Sequence, residues 1–261
     1  MTAIVERLAG DLRHLGVRPG DTVMVHASLR SIGRGEPGGR VEADVVVDAI
    51  DRALGPEGTW LMVLGASEAH GPFEALTTPV LEEVGTLAEV FRRRPGTIVT
   101  PHPEGRFGAR GASAGALLAD PPWHDYYGRG SALERLCAWG GKVVRMGASP
   151  ETTTVLHYAE QRLTLPGLRR VTRTPLVRTD DGGAMRVMVE TLDDENGVVD
   201  WPGEDYFATI LRDYLAARIG SEAVQRGQVG GADSVRIDAN DLVGFGVEWM
   251  TRAFAPIVAA R

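Results

Sequence analysis

Short apolar runs alternate along the chain with longer helical patterns, and this alternation restricts the possible folds most. TVMVHA (22–27), TWLMVL (59–64) and KVVRMG (142–147) have the length and β-branched content of buried strands. Helical patterns fall around and between them, over residues 3–15, 41–54, 85–96 and 131–141. This order is typical of an α/β fold, so we expect a central mixed sheet flanked by helices.

The second half of the chain continues the alternation less regularly. We expect strands at 97–100, 171–177, 185–190 and 234–238, and helices from Thr152, at 203–217 and at 240–254. No repeat or long linker interrupts the pattern. We therefore expect a single domain over residues 1–261, with an insertion or small subdomain near 178–205.

The negative charge of the chain is concentrated in one segment. Residues 181–210 contain eight acidic residues and one arginine, so this segment has a charge of −7. That equals the net charge of the whole chain, so positive and negative charges are balanced in the rest of it. An acidic balance argues against a nucleic-acid partner. A local acidic surface suits a cationic ligand, and the alternative is a solvated acidic loop.

Hydropathy and cysteine usage favour the cytoplasm. No run of eighteen apolar residues indicates a membrane-spanning helix, and the first sixteen residues lack the apolar core of a signal peptide. Cys137 is the single cysteine, which excludes an internal disulfide and any cysteine-based metal cluster. The six histidines show no H-x-x-x-H or H-x-H spacing, so we expect no metal.

A G-x-S-x-G match around Ser113 raises the alternative of a serine hydrolase. With Asp125 and His157 it even has the chain order of the α/β-hydrolases. The nucleophile elbow needs a strand directly before the serine, and PEGRFGAR (103–110) has no strand pattern. We expect a helix start after a turn at this position.

The stretch TTTVLHYAE (152–160) predicts a general base. Threonines are good residues at a helix start, where a hydroxyl can accept from a free backbone N–H. In the helix that follows, His157 and Glu160 are three residues apart and share one face. A carboxylate beside an imidazole fixes its tautomer and raises its basicity. The alternative is an ordinary helical histidine with a surface glutamate nearby.

A glycine-rich loop follows the first strand. Residues 31–40 match neither a dinucleotide-binding fingerprint nor a Walker A loop, but exposed N–H groups in such loops can hold a phosphate. Arg30 supplies positive charge. The alternative is a plain surface loop.

Five separated blocks resemble one family. They are VHASLRSIG (25–33), GTLAEVFRRRPG with HPEGRFGARG (85–96, 102–111), GRGSALERL (128–136), TVLHYAE (154–160) and NDLVGFGVEWM (240–250). In this order and spacing the chain resembles the aminoglycoside 3-N-acetyltransferases, an antibiotic N-acetyltransferase family. The resemblance implies an α/β fold unrelated to GCN5-type acetyltransferases. It implies direct acetyl transfer from acetyl-CoA to the 3-amino group of a deoxystreptamine ring, in a ternary complex and without an acyl-enzyme.

The resemblance also implies roles for particular residues. His157 would be the general base, Glu160 would orient it or pair with a substrate ammonium, and His26 would assist or contact the thioester. The expected acetyl-CoA contacts are Ser28, Leu29, Arg30, Ser31, Gly33, Thr100, His102, Phe107 and Thr153. The expected contacts to the polycationic drug are Glu68, Glu74, Asp200, Glu204 and Asp205.

Two departures from the family pattern affect these expectations. Arg106 stands where the family usually has serine, and it could instead pair with a CoA phosphate. The loop between residues 64 and 86 is short, which affects the range of acceptors. Antibiotic resistance is the expected consequence of the activity, and a homodimer is compatible with the resemblance. The alternatives that stay open are another amine metabolite as acceptor and a silent CoA-binding protein.

Overall fold

The alternating pattern of the sequence produces a seven-stranded sheet with helices on both faces. The computed structural model describes residues 2–67, 69 and 71–259, with Pro37 described by its backbone alone. The prediction for Glu68 therefore lies outside the described residues.

The helices and strands follow the chain in this order. The helices are α1 (Thr2–His14), α2 (Leu29–Gly33), α3 (Ala43–Leu54), α4 (Thr86–Arg93), α5 (Ala114–Leu117), α6 (Ala132–Ala138), α7 (Leu156–Gln161), α8 (Tyr206–Ala217) and α9 (Ala239–Ala259). The strands are β1 (Thr22–Ala27), β2 (Thr59–Val63), β3 (Ile98–Val99), β4 (Phe107–Gly111), β5 (Lys142–Met146), β6 (Arg170–Arg173), β7 (Leu176–Arg178), β8 (Ala184–Arg186), β9 (Val189–Leu192), β10 (Val224–Val229) and β11 (Ala232–Asp238). Short 3₁₀ turns lie at Pro37–Gly39, Glu82–Val84 and Pro150–Thr152.

The sheet has a parallel centre and antiparallel edges. Its strand order is β10-β11-β5-β1-β2-β4-β3. β1 pairs in parallel with β5 on one side and with β2 on the other, whereas β11 and β4 add in the antiparallel direction. The strand that follows β1 in the chain, β2, lies on one side of it, and the later strand β5 lies on the other. At such a reversal of strand order a crevice opens at the carboxyl ends of the three strands, where open α/β sheets bind ligands.

Each face of the sheet has its own apolar core. Along β1, Val23 and Val25 pack against α1, α3 and α4, whereas Met24 packs on the opposite face among residues of α6, α7 and α9. The same alternation occurs in β5, where Val144 and Met146 lie on the first face and Val143 on the second. Burial on both faces explains why these strands read as continuous apolar runs.

Residues 170–192 form two small antiparallel pairs outside the central sheet, β6 with β9 and β7 with β8. The sequence predicted a hairpin or two edge strands here, and the structure contains four short strands. β9 is largely buried, whereas β7 and β8 are mostly exposed. The expectation of one domain with an acidic insertion near 178–205 stays a prediction.

Helix α9 is long and apolar enough to cross a membrane by length and composition alone. One face of it, including Leu242, Val243, Met250 and Phe254, is buried in the core against other helices. A core helix with such a face passes the same length and hydropathy test, so the criterion is weak evidence for a membrane span.

Three local predictions were wrong. A strand, β4, covers residues 107–111 although FGARG lacks β-branched residues, because its first three residues are buried between β2 and β3. β10 was missed because four of its six residues are exposed and polar or glycine. The start of the glycine-rich loop is helical as α2, where the Ser28 hydroxyl accepts from the Ser31 N–H.

Candidate active site

The crevice at the carboxyl ends of β1, β2 and β5 is a groove of about 680 Å³. His26, Ala27 and Val63 reach it from the strand ends, and the turn from Gly147 to Thr154 forms one side. The 3₁₀ turn at Glu82–Val84 and the first residues of α4 form the other side. His157 and Tyr127 also line the groove.

His157 is held at the edge of this groove by a chain of hydrogen bonds. Its Nδ1 lies 2.7 Å from Glu160 Oε2, and Tyr206 donates its hydroxyl hydrogen to Glu160 Oε1. The imidazole stacks on Tyr127 and meets the edge of Phe207, each with ring centroids 4.8 Å apart. With Nδ1 occupied by Glu160, Nε2 is the nitrogen available to a ligand in the groove.

The surroundings of His157 make it more basic. Burial alone would lower the pKa of His157, but the charge and hydrogen bond of Glu160 outweigh burial and raise the pKa above its ordinary value. Asp194 and Asp205 act in the same direction. The Glu160 carboxylate is 2% exposed, so its negative charge acts on the ring without much solvent screening.

The turn before α7 differs from the predicted threonine cap. Thr152 and Thr153 donate their hydroxyl hydrogens to the carbonyl oxygens of Ser149 and Pro150, and α7 has no side-chain cap at Val155. Helix α7 begins at Leu156, later than expected, because a 3₁₀ turn and an irregular link come first. The hydroxyls therefore fix the turn and leave the helix start uncapped.

A buried arginine supports this turn from below. Arg145 in β5 is 3% exposed, and it donates to the Thr153 hydroxyl oxygen at 2.8 Å and to the Ala148 carbonyl oxygen at 3.2 Å. It also donates to the Ser149 carbonyl oxygen. Burial lowers the pKa of Arg145 to about 10. Its charge is therefore retained at neutral pH and held mainly by dipoles.

His26 lines the same groove in a different environment. It is 6% exposed, and its Nε2 has no hydrogen-bond partner. Burial, with a smaller contribution from the neighbouring charge of Arg145, lowers the pKa of His26 to about 3. The imidazole is therefore neutral and a weak proton acceptor, and its Nε2 is itself enclosed by protein atoms.

A second cavity, of about 230 Å³, meets His157 from the acidic segment. Its lining includes five carboxylates and no lysine or arginine: Glu151, Asp194, Glu195, Glu204 and Asp205. Trp201, Tyr206 and Phe207 supply aromatic surface. We call this cavity the acidic chamber; it suits a ligand that carries several positive charges.

A third cavity, of about 630 Å³, also reaches His157. Segments after β2 and around β7 line it, together with Tyr126, Tyr127, Asp194 and Glu195. Arg173 also lines this cavity. Its guanidinium lies 2.6 Å from Asp194 and 3.3 Å from Glu195, and it donates to the Tyr126 hydroxyl at 2.7 Å. We call this the wide chamber. Its lining is less negative than that of the acidic chamber because Arg173 and Arg186 are part of it.

The structure brings some of the expected acceptor contacts to His157 and leaves others elsewhere. Glu204 and Asp205 line the acidic chamber, where Asp205 also caps α8 by accepting from the Ala208 N–H. Asp200 pairs with Arg169, and Glu74 accepts from the Thr77 hydroxyl. Neither Asp200 nor Glu74 lines one of the three cavities.

The expected acetyl-CoA contacts around α2 are likewise divided. Ser28 and Leu29 line the groove, and Arg30 is exposed at its side. Ser31 is buried and accepts from Arg34. A side chain at Gly33 would meet the backbone of residues 40–41 at 2.8–2.9 Å, so glycine there permits close packing.

The other expected acetyl-CoA contacts lie in the interior. His102 is 1% exposed and both ring nitrogens are used, one near the Trp123 carbonyl oxygen at 2.9 Å and one accepting from the Gly105 N–H at 2.8 Å. The Thr100 hydroxyl accepts from the Phe107 N–H, and Phe107 packs in the core. Thr153 is buried under the turn. None of these four residues lines the groove, and their contact with acetyl-CoA stays a prediction.

Arg106 cannot reach a CoA phosphate as it stands, which corrects the alternative raised by the sequence. It is fully buried, and its guanidinium donates to the carbonyl oxygens of Gly65, Ala75 and Pro79.

The hydrolase alternative also conflicts with the geometry. A strand, β4, does precede Ser113, contrary to the expectation, but β4 is antiparallel to β2 and ends beside Thr59 at the beginning of β2. Ser113 therefore lies near the amino end of β2, whereas His157 lies beside the groove at the carboxyl ends of the parallel strands. Asp125 pairs with Arg170. The proposed triad is not assembled.

Several residues around His157 were not identified from the sequence. Tyr127 and Tyr206 contact the His157–Glu160 pair from elements distant in sequence, and no local pattern marks them. Asp194 and Glu195 were counted as part of the acidic segment but not assigned to the site. Among the described residues, no group of three or more histidine, cysteine or acidic side chains is placed to hold a metal ion.

Comparison with known proteins agrees with this geometry. The sequence model of the family described as aminoglycoside 3-N-acetyltransferase matches residues 24–251. The aminoglycoside N(3)-acetyltransferase VII of Streptomyces paromomycinus is 36% identical over 268 residues, covering 94% of this chain and 90% of that protein.

Solved structures show the same fold. AAC-IIIb, solved with CoASH, superposes with a TM-score of 0.87 at 32% identity, covering 95% of this chain and 96% of that one. AAC-VIa with bound sisomicin superposes with a TM-score of 0.86 at 33% identity, covering 95% and 98%. The family and the fold class predicted from five sequence blocks are therefore confirmed, and the chain belongs to the aminoglycoside 3-N-acetyltransferases, acyltransferases that use acetyl-CoA and do not have the GCN5-type fold.

Proposed function

We propose that this protein transfers the acetyl group of acetyl-CoA to the 3-amino group of the deoxystreptamine ring of an aminoglycoside, with His157 as general base. One observation carries the proposal: the groove, the acidic chamber and the wide chamber all meet at His157, whose Nδ1 is bound to Glu160. A base at the junction of separate cavities suits a reaction between two substrates.

The chemistry requires a base at this place. An amine attacks the thioester carbonyl carbon only as a free base, and such amines are mostly protonated at neutral pH. Nε2 of neutral His157 accepts the proton as the C–N bond forms, and the imidazolium is stabilised by Glu160. The C–S bond then breaks and the CoA thiolate leaves, taking up a proton. Both substrates are bound together, so no acyl-enzyme is needed.

The groove at the strand ends is the proposed site of acetyl-CoA. It is long enough to extend from α2 past His26 to His157, and a relative with the same fold was solved with CoASH. His26 lines this groove as a neutral imidazole. Ser28 and Leu29 lie at one end, beside the start of a five-residue helix.

The acidic chamber is the proposed site of the cationic rings of the acceptor. Several charge-assisted hydrogen bonds to ammonium groups give both affinity and register. Sisomicin, an aminoglycoside, is bound in the structure of AAC-VIa, which shares the fold. We further propose that the enzyme acts in the cytoplasm and that acetylation there confers antibiotic resistance.

The test is release of CoA thiol from acetyl-CoA with gentamicin, apramycin, neomycin and a simple polyamine as acceptors. Release with an aminoglycoside and none with the polyamine is the expected result, and the product is checked for acetylation at the 3-amino group. Release only with another amine would assign a different metabolite. Binding of CoA without release from any amine would indicate a silent CoA-binding protein, and labelling of Ser113 by a fluorophosphonate would revive the hydrolase.

A further inference from the structure

The wall of the wide chamber that follows β2 is an irregular segment. Its described residues that line the chamber include Gly65, Ala66, Gly71, Phe73 and Thr78. Loops of this kind are usually the most mobile part of a binding site, because few backbone hydrogen bonds within them hold one conformation. This segment instead has side chains from other elements bound to its backbone.

Arg106 makes most of these contacts. One guanidinium nitrogen donates to the Gly65 carbonyl oxygen at 3.0 Å and to the Pro79 carbonyl oxygen at 3.3 Å. The other donates to the Ala75 carbonyl oxygen at 2.6 Å. The guanidinium carbon also lies 5.5 Å from the ring centroid of Phe73. One side chain thus ties both ends and the middle of the wall together.

The burial of Arg106 is costly and therefore informative. The side chain is fully buried, and its guanidinium donates to the neutral carbonyl oxygens of Gly65, Ala75 and Pro79. Burial, with the nearby charge of Arg92, lowers the pKa of Arg106 to about 10, so the charge is retained at neutral pH. A buried cation held by peptide dipoles fixes those peptides, since any movement of them would leave the charge unsolvated.

An ion pair in α4 also binds the backbone of the same segment. Arg92 of α4 donates to the Leu76 carbonyl oxygen, and its partner Glu89 accepts from the Val80 N–H at 3.1 Å. On the other side, Phe73 joins β7 through the Leu176 carbonyl oxygen and the Arg178 N–H. The wall is therefore attached to α4, β4 and β7 at once.

We propose that Arg106 is a positioning residue that fixes the wall of the wide chamber and so determines which acceptors bind productively at His157. Arg106 does not line the chamber. It acts through the backbone of Gly65, Ala75 and Pro79, and this side of the chamber would contact the part of the acceptor that extends beyond the reacting ring. The inference rests on the proposed function, because it concerns the acceptor of that reaction.

The test compares Arg106→Met and Arg106→Lys with the parent enzyme. For Arg106→Met we expect the KM for gentamicin to rise about tenfold, with kcat and the KM for acetyl-CoA within about twofold of the parent. For free 2-deoxystreptamine, which is too small to reach the wall, we expect kcat/KM to be unchanged. Arg106→Lys keeps the charge but lacks the planar guanidinium, so its KM for gentamicin should lie between those of the parent and of Arg106→Met.

Hydrogen exchange supplies a readout that does not depend on activity. In Arg106→Met the backbone amides of residues 71–80 should exchange at least tenfold faster, whereas those of α7 and the turn at 147–154 should be unchanged. Arg92→Met releases the Leu76 carbonyl oxygen and breaks the ion pair with Glu89, and it leaves the Arg106 contacts in place. It should therefore speed exchange of the same amides and raise the same KM by a smaller factor. It also keeps the proposal testable if Arg106→Met does not fold.

A stability control separates positioning from general loosening. Leu12 is buried in α1, packed with the core on the opposite face of the sheet from α7, and Leu12→Ala should lower the melting temperature without changing the KM for gentamicin. Equal losses of activity with gentamicin and 2-deoxystreptamine in Arg106→Met, or unchanged exchange in residues 71–80, would overturn the proposal. If the parent releases no thiol with any acceptor, the proposed function fails, and the exchange experiment still decides whether Arg106 fixes the wall.

Discussion

Two histidines line the groove, and they differ in the charges that surround them. His157 is half-buried and bound to a carboxylate, and its pKa is raised. His26 is buried, has no partner on Nε2 and lies beside a guanidinium, and its pKa falls to about 3. The difference shows that lining a cavity is not enough to make a histidine a base. A carboxylate bound to one ring nitrogen is what raises the basicity of the ring.

The largest effect should come from removing the base itself. His157→Ala should lower kcat by about 10² to 10⁴, the usual range for the loss of a general base. Because the groove is otherwise intact, CoA should bind with nearly the parent affinity. Thiol release and calorimetric titration with CoA measure the two quantities, and near-full activity in this variant would remove His157 from the mechanism.

Glu160→Gln should have the next largest effect, because it removes the charge while keeping the shape. We expect kcat/KM to fall about tenfold to a hundredfold. Only neutral His157 accepts a proton, so activity is lost as the pH falls through its pKa. Glu160 raises that pKa, so its loss should move the acid limb of the pH profile to lower pH. An acid limb that stays in place in this variant would assign Glu160 a structural role.

His26→Asn should change the rate less than tenfold and should act mainly on stability at acid pH. The pKa of His26 is about 3 in the fold against 6.5 in a model peptide, so below pH 6.5 the unfolded chain binds a proton that the folded chain refuses. The free energy of unfolding therefore falls as the pH falls, by about 2 kcal/mol from this residue between pH 7 and pH 5.

Urea denaturation of the parent and of His26→Asn at pH 7 and pH 5 measures this contribution. The decrease in unfolding free energy between the two pH values should be smaller in the variant. His157 works in the opposite direction, because a raised pKa favours the folded state when protonated. A variant that loses stability with acid as steeply as the parent would contradict the neutral, buried state of His26.

The smallest effect should come from Tyr206→Phe. Tyr206 donates to Glu160 Oε1, and the phenyl ring should keep the packing against Phe207 and Phe254. The Glu160 carboxylate loses a donor and the Val198 N–H loses its acceptor, so we expect kcat to fall about twofold to fivefold. Steady-state kinetics over pH measures it, and a fall as large as that of Glu160→Gln would mean that the hydroxyl controls the carboxylate.

The sequence predicted the parts of this site that depend on local spacing. His157 and Glu160 meet because three residues separate them in a helix, and the central strands followed from their apolar runs. Ser131 and Glu134 have a capping-box spacing; Ser131 accepts from the Glu134 N–H as expected, whereas Glu134 accepts from Gly130.

What the sequence did not predict depends on contacts between distant segments. Tyr206 reaches Glu160 across 46 positions, and Tyr127 stacks on His157 from a loop without a motif. The hydroxyls of Thr152 and Thr153 bind carbonyl oxygens because a 3₁₀ turn precedes α7, and residue type alone does not distinguish this from a cap. Strand β4 was missed because burial between neighbouring strands, and not β-propensity, maintains it.

The meeting of separate cavities at one imidazole has a consequence for the order of events in each turnover. Among the described residues, the groove and the acidic chamber share only Glu151 and His157 in their linings, so with the proposed placement of the substrates neither should lie in the path of the other. Either one can then enter first, and either product can leave first. Initial-velocity plots at several fixed concentrations of the second substrate should therefore intersect, and each product should compete with the substrate from which it derives.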